Sequence, residues 1–472
     1  MPRLALAFLL VSLFLVACSP TVILLTPIPS LTPTSTLTPV PVTPSPTPRP
    51  SPVPGSKLGV GPDALRGVTI RLWHGLDGPS GAILEQMAAE FSGANVWGMK
   101  VEVVSQQNPP LLVEAVNAAF ETPNERPDIV MALPEYAREW DAGEQVVDLA
   151  PYVADPDFGF SEAEAADFPA AFWEQSIVDG RRLGVPAART GRFLFYNAGF
   201  AQELGFAAPP RTAEEFRQQA CAANASWKTD EDLTNDGYGG WVLENAVVDV
   251  DAPWTAYAWL RAQGGDVYRA GAYTFSLAEN QAALELLADM RTDGCLWLSS
   301  APTNHEALFV RRALFAAGSL QDFNNQRVAF AGSVRDDWTV IAFPGVKPAI
   351  AVHGPDYVVL KSDESRQLAA WLFVREMLLP ENQVRWVRGT GLFPMRASVM
   401  DLLGDIRSAN PQWSAAVDLL PQAVTYPQAP GWPKARLLLG DGFFQLFQFN
   451  PTPSDVTRVL SEMDATLQEL LK

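Results

Sequence analysis

The sequence predicts an α/β protein of two or more cooperating lobes, built on mostly parallel sheet flanked by helices. Three observations carry that prediction. The chain has 472 residues, more than one small core needs. Its composition, 48% hydrophobic and 18% charged, is that of a globular protein. From Val68 onward, extended apolar runs alternate with amphipathic helical ones, the order that builds parallel sheets covered on both faces.

The N-terminus reads as an export signal. Arg3 supplies a cationic start, and residues 4–16 form an apolar stretch too short for a comfortable membrane span. Leu15-Val16-Ala17-Cys18 then resembles a bacterial lipobox, so residues 1–17 are expected to be removed and Cys18 to carry lipid. An ordinary signal peptide with a chance cysteine is the competing reading. Residues 19–57 are dominated by Pro, Thr and Ser, which cannot bury enough apolar area to offset their ordering entropy. Residues 18–57 are therefore expected to be an unfolded linker, whether bare or a glycosylated stalk. Extended at about 3.1 Å per residue, it can hold a domain up to roughly 100 Å from its anchor. The expected location is the extracytoplasmic face of the cell membrane.

The folded part opens with residues 68–73, where Val68, Ile70 and Leu72 alternate as a strand requires. Pro79 and Ser80 start a helix whose apolar face is Ile83, Leu84, Met87, Ala88 and Phe91. A strand at 100–104, a helix at 111–120 and a strand at 128–132 complete βαβαβ. Farther on, Thr212 with Glu215 and Ser276 with Glu279 form two expected capping boxes, the second ahead of Ala283, Leu286, Leu287 and Met290. Extended runs fall at 183–186, 193–196, 338–342 and 357–360, and a helix at 368–379. The last helix carries Val456, Val459, Leu460, Met463, Leu467 and Leu470 on one face. No repeat of solenoid period is found.

The net charge of -19 disfavours nucleic acid as a partner. Three histidines, His74, His305 and His353, are too scattered for a spaced ligand set, and no nucleophile elbow or phosphate loop follows a strand. Nothing here supports an enzyme. One turn suggests a metal: Asp232, Thr234 and Asp236 with Gly237 match the first half of a calcium loop. Leu243 stands where the bidentate Glu belongs and Glu244 comes one place late, so a plain surface turn competes with structural calcium, the sole cofactor considered. Cys221 and Cys295 reach an oxidising compartment if the chain is exported, giving either a disulfide or two buried thiols. The 14 Trp residues are an excess of flat apolar rings, the kind that stack on sugar C–H faces.

Taken in order, these segments resemble the bacterial extracellular solute-binding proteins related to maltose-binding protein. The resemblance rests on Ile70-Arg-Leu-Trp-His-Gly75, Arg126-Pro-Asp-Ile-Val130 with Leu133-Pro-Glu-Tyr136, Leu183-Gly-Val-Pro186 through Leu194-Phe-Tyr-Asn197, and Pro209-Pro-Arg-Thr212. It continues through Ala316-Ala-Gly-Ser319, His353-Gly-Pro355, Leu379-Pro-Glu-Asn-Gln383, Gly391-Leu-Phe-Pro394 and the loop at 427–432. It implies a periplasmic-binding-protein fold of the type II kind, with lobe 1 at 66–186 and 350–402, lobe 2 at 187–349 and 403–472, and hinge crossings near 185–188, 348–352 and 400–405. It further implies a monomeric, membrane-tethered receptor that captures a sugar between the lobes and delivers it to an ABC permease. The implied ligand residues are Trp73, His74, Glu135, Tyr136, Arg189, Ser319, Asp322, Gly354 and Trp432. Trp73 and Trp432 would stack, Glu135 and Arg189 hydrogen-bond, and His74 form a polar wall. Core filling by the two Trp and a surface ion pair for Glu135 and Arg189 are the structural alternatives. A charged solute (phosphodiester, polyamine or metal complex) is the second reading of function, and a polysaccharide-adhering or enzymatic surface lipoprotein the third.

Overall fold

The computed structural model describes residues 55–76, 78–122, 125–229, 231–244, 251–299, 304–332 and 336–472. Residues 1–17, Cys18 and the Pro/Thr run to residue 54, with the export and lipidation expectations they carry, lie outside the described residues. The first lobe begins with β1 (Thr69–His74), α1 (Gly78–Ala94), β2 (Lys100–Ser105), α2 (Pro109–Ala119), β3 (Ile129–Ala132) and α3 (Pro134–Ala142). Alternation decides the faces of β1: Ile70, Leu72 and His74 are buried together, while Trp73 turns the other way. On α1, Leu84, Met87, Ala88 and Phe91 are buried, each large side chain contributing about 1.5–3 kcal/mol.

The chain continues through β4 (Val185–Pro186), β5 (Thr190–Asn197), α4 (Ala213–Trp227), β6 (Gly239–Leu243), α5 (Ala252–Ala262), α6 (Ala278–Thr292), β7 (Leu296–Leu298) and β8 (Ala313–Gly318). Then come β9 (Trp338–Ile341), β10 (Ile350–His353), β11 (Asp356–Val359), α7 (Glu364–Met377), α8 (Pro380–Thr390), β12 (Ala423–Val424), α9 (Trp432–Phe447) and α10 (Pro453–Leu470). The first sheet has the order β2-β1-β3-β11-β4, parallel among its first three strands, with β11 antiparallel to β3 and β4. The second runs β7-β6-β8-β5-β10-β12, and β9 also pairs with β5. Here β7, β6 and β8 are parallel, whereas β5 is antiparallel to β8, β9 and β10. Every residue of β5 is buried.

Thr212 and Glu215 form the expected capping box of α4. The second expected box is absent. Asp464 of α10 takes the Ser276 hydroxyl and backbone N–H (the latter at 3.1 Å), and Glu279 turns to Arg269 at 3.3 Å. A carboxylate from another helix outcompetes the local cap. Cys221, inside α4, is disulfide-bonded to Cys295 ahead of β7.

Two crossings run side by side. Between β4 and β5 the N–H groups of Ala187 and Ala188 both donate to Pro355 O, at 3.0 and 3.2 Å. Gly354 and Pro355 form the second crossing, beyond the expected 348–352, because Ile350–His353 still pair within the second sheet. Residues 350–353 thus belong to the second sheet, and the chain rejoins the first sheet at Asp356. The third pass touches this knot at Phe393, ahead of the expected 400–405: its N–H donates to Arg189 O at 3.0 Å and its ring lies 6.1 Å from Phe172 and from Phe193.

Candidate ligand-binding cleft

Pro134 opens α3 and places Glu135 in its first turn, where the helix dipole favours an anion. Glu135 is 3% exposed, and its Oε1 lies 3.3 Å from Arg436 Nε on α9, so the pair joins the two lobes. Arg436 follows Trp432 by one helical turn and so shares its face of α9. The Arg436 guanidinium lies 5.3 Å from the ring centre of Trp254. Trp254, in the first turn of α5, stacks on His353 at the end of β10 (4.5 Å, 6°) and sits 5.1 Å from Tyr426. Tyr426 in turn stacks on Trp432 (5.5 Å, 11°), and Tyr257 meets Trp432 edge-on at 5.6 Å. The second lobe thus presents a wall of rings, and Glu135 faces it from the first lobe.

Four polar atoms in this cluster are buried without a hydrogen-bond partner among the described residues: Glu135 Oε2, His353 Nε2, Tyr426 OH and Trp432 Nε1. Each such atom costs about 1–3 kcal/mol. Burial raises the Glu135 carboxyl above the usual carboxylate range, offset in part by Arg436 and Tyr426. The Tyr426 hydroxyl is near enough to act on that ionisation while standing outside hydrogen-bond geometry. Burial, then the charges of Arg192, Arg436 and Arg189, hold His353 well below its ordinary range and therefore neutral. A second interlobe contact flanks the rings: Arg138 of α3 donates to Gln428 O at 2.8 Å.

Of the residues expected at the site, Glu135 and Trp432 meet here. Tyr136 packs its ring on Trp140 (6.2 Å, 27°) and sets its hydroxyl beside Arg436, so it borders the same cluster. Trp73, on the face of β1 opposite Ile70, Leu72 and His74, is partly buried and packs with Tyr136 on the apolar cluster of Leu112, Val116 and Trp140. His74 is buried, accepts the Leu76 N–H at Nδ1 (3.1 Å), and holds the turn from β1 into α1. Arg189 and Gly354 belong to the hinge. Arg189 pairs with Asp356 at 2.5 Å, and Gly354, at φ +148°, lets Ala188 O pass 2.3 Å from where a Cβ would be. Ser319 and Asp322 cap a short helix by bonding each other (2.7 and 3.0 Å). The residues that sequence reasoning left out are Trp254, His353, Tyr426 and Arg436. The spacing of Arg436 from Trp432 was the available signal for the last.

The turn at Asp232, Thr234 and Asp236 is braced by its own side chains. Asp232 Oδ1 accepts the Thr234 N–H (3.0 Å) and hydroxyl (2.6 Å), Leu243 is buried in β6, and Glu244 pairs with Arg192 at 2.8 Å. Among the described residues, neither position at the far end of the loop is therefore turned to Asp232, Thr234 and Asp236 as the twelfth-position Glu of a calcium loop would be. Among the described residues Cys221, Cys295 and Asp293 do converge, but the two sulfurs are consumed in the disulfide.

Two lobes joined by crossings, with ring faces and unsatisfied polar atoms buried between them, define a binding protein. Residues 86–421 match the model of the bacterial extracellular solute-binding protein family, and the chain belongs to that family. A binding protein of Brucella abortus (strain 2308) is 22% identical over 325 residues, covering 67% of this chain and 76% of that protein. Among solved structures, the cyclic alpha-maltosyl-1,6-maltose binding protein of Arthrobacter globiformis has a TM-score of 0.70 at 18% identity, covering 85% of this chain and 100% of its own. The sugar-binding protein MalE of Xanthomonas citri gives 0.71 at 19% (85% and 98%). UgpB of Mycobacterium tuberculosis, in complex with glycerophosphocholine, gives 0.69 at 19% (85% and 98%). At these identities the likeness establishes the fold.

Proposed function

We infer that the chain captures a mono- or oligosaccharide between its lobes and delivers it to the transmembrane subunits of an ABC permease, held at the extracytoplasmic face of the membrane by lipid on Cys18. The observation that carries the ligand class is the set of buried, unpartnered atoms beside stacked rings. An indole N–H can only donate, a carboxyl carbonyl oxygen accepts, and a phenol does both. Adjacent hydroxyls of one sugar satisfy all three, and its C–H faces suit the rings. Because Glu135 and the rings lie on different lobes, a ligand touching both is desolvated only on closure, and that differential affinity drives closing.

A charged solute is the second reading, favoured by Arg436 and by the glycerophosphocholine complex of UgpB. Thermal shift over a sugar panel, with glycerophosphocholine and spermidine alongside, separates the two, since capture raises the melting point by mass action. The expected result is a concentration-dependent rise with a sugar. A rise with a charged solute and with no sugar overturns the carbohydrate reading.

A further inference from the structure

Where the described chain begins, it is gripped by two acids of the first lobe. Asp157 Oδ2 accepts the backbone N–H groups of Gly55 (3.0 Å) and Ser56 (2.7 Å). Asp155 Oδ2 accepts the Ser56 hydroxyl (3.0 Å) and the Lys57 N–H (2.9 Å), while its Oδ1 accepts the N–H groups of Asp157 and Phe158 (3.0 Å each). Asp155 is 4% exposed, so its carboxylate is placed by these donors. Burial raises its pKa, but the N–H groups of Lys57, Phe158 and Asp157 and the Ser56 hydroxyl outweigh that and hold it below the usual range.

The loop presenting these acids has its own bracing, separate from Gly55, Ser56 and Lys57. Gly159 N–H donates to Asp155 O (2.8 Å) and Phe160 N–H to Val153 O (2.9 Å), and a Cβ at Gly159 would meet Val153 O at 2.3 Å. From α7, Trp371 Nε1 donates to Phe158 O (2.8 Å) and Arg375 Nε to Gly159 O (2.9 Å). Beyond the acids, Leu58 and Val60 pack against the core and Leu65 is fully buried.

We propose that Asp155 and Asp157 form a clip that docks the root of the N-terminal tether on the first lobe and fixes where the tether leaves the folded domain. Load on the tether is then borne at this loop, ahead of β1 and the cleft. The role as a tether root rests on the lipid-anchor reading; the docking itself does not.

Hydrogen exchange on the full chain tests the docking. In the wild type the Ser56 and Lys57 amides should exchange at least about 10-fold more slowly than in an unstructured peptide. Asp157→Ala should release Ser56, and Asp155→Ala should release Lys57. Asp157→Ala remains decisive if loss of Asp155 unfolds the loop. Unprotected amides in the wild type, or Ser56 protection that survives Asp157→Ala, would overturn the clip. Cys18→Ala is the separate arm: unchanged membrane partitioning removes the anchor reading and leaves the exchange result standing.

Discussion

The hinge and the cleft both bury charge, and they treat it in opposite ways. At the hinge, Arg189 Nη1 donates to the carbonyls of Ala188, Gly354 and Pro355 at 2.8–3.0 Å, and Nη2 reaches Asp356 at 2.5 Å. The other oxygen of Asp356 accepts the Ser176 hydroxyl at 2.5 Å. Of the Arg189 donors, Nε alone is without a partner among the described residues. In the cleft, Glu135, His353, Tyr426 and Trp432 each keep a buried polar atom unsatisfied. Satisfied polar groups fix a shape; unsatisfied ones are poised for a molecule that completes them.

The largest expected effect is at the hinge. Asp356→Ala leaves Arg189 buried and unpaired, which should cost about 3–5 kcal/mol of stability in urea unfolding. Next comes Trp254→Ala, which should weaken sugar binding by about 1–3 kcal/mol in calorimetry. Tyr426→Phe should act more gently and with split sign. Removing an unsatisfied hydroxyl leaves the free protein as stable or more so, while binding loses about 1 kcal/mol.

The smallest effects are in pH dependence. Glu135 has a raised folded pKa, so its stabilising contribution is full below the ordinary value of 4.5 and is lost as pH rises through its own higher value. His353 is depressed, so its contribution is full above 6.5 and is lost as pH falls toward its own lower value. The two slopes oppose each other. Glu135→Gln should therefore steepen the rise of stability with pH, and His353→Gln should steepen the fall, both read from melting temperature.

Much of the fold was legible because alternation and helical periodicity are local: β1, α1, β3 and α10 stand where their apolar residues place them. Glu135 and Trp432, which the motif resemblance singled out, lie in the proposed cleft. What was not legible depends on contacts distant in sequence. Asp464 decided the fate of the Ser276 cap, and Asp356 turned Arg189 from a ligand group into a hinge brace. Trp254 meets His353 only through tertiary packing.

The most direct test measures melting temperature and sugar affinity together for Asp356→Asn and Tyr426→Phe. The expected result is a crossing: the hinge variant loses stability and, once folded, binds within about twofold of wild type, while the cleft variant keeps its stability and binds roughly fivefold more weakly. If Tyr426→Phe binds like wild type, or if both variants lose the same property, the unsatisfied cluster does not mark the ligand's place.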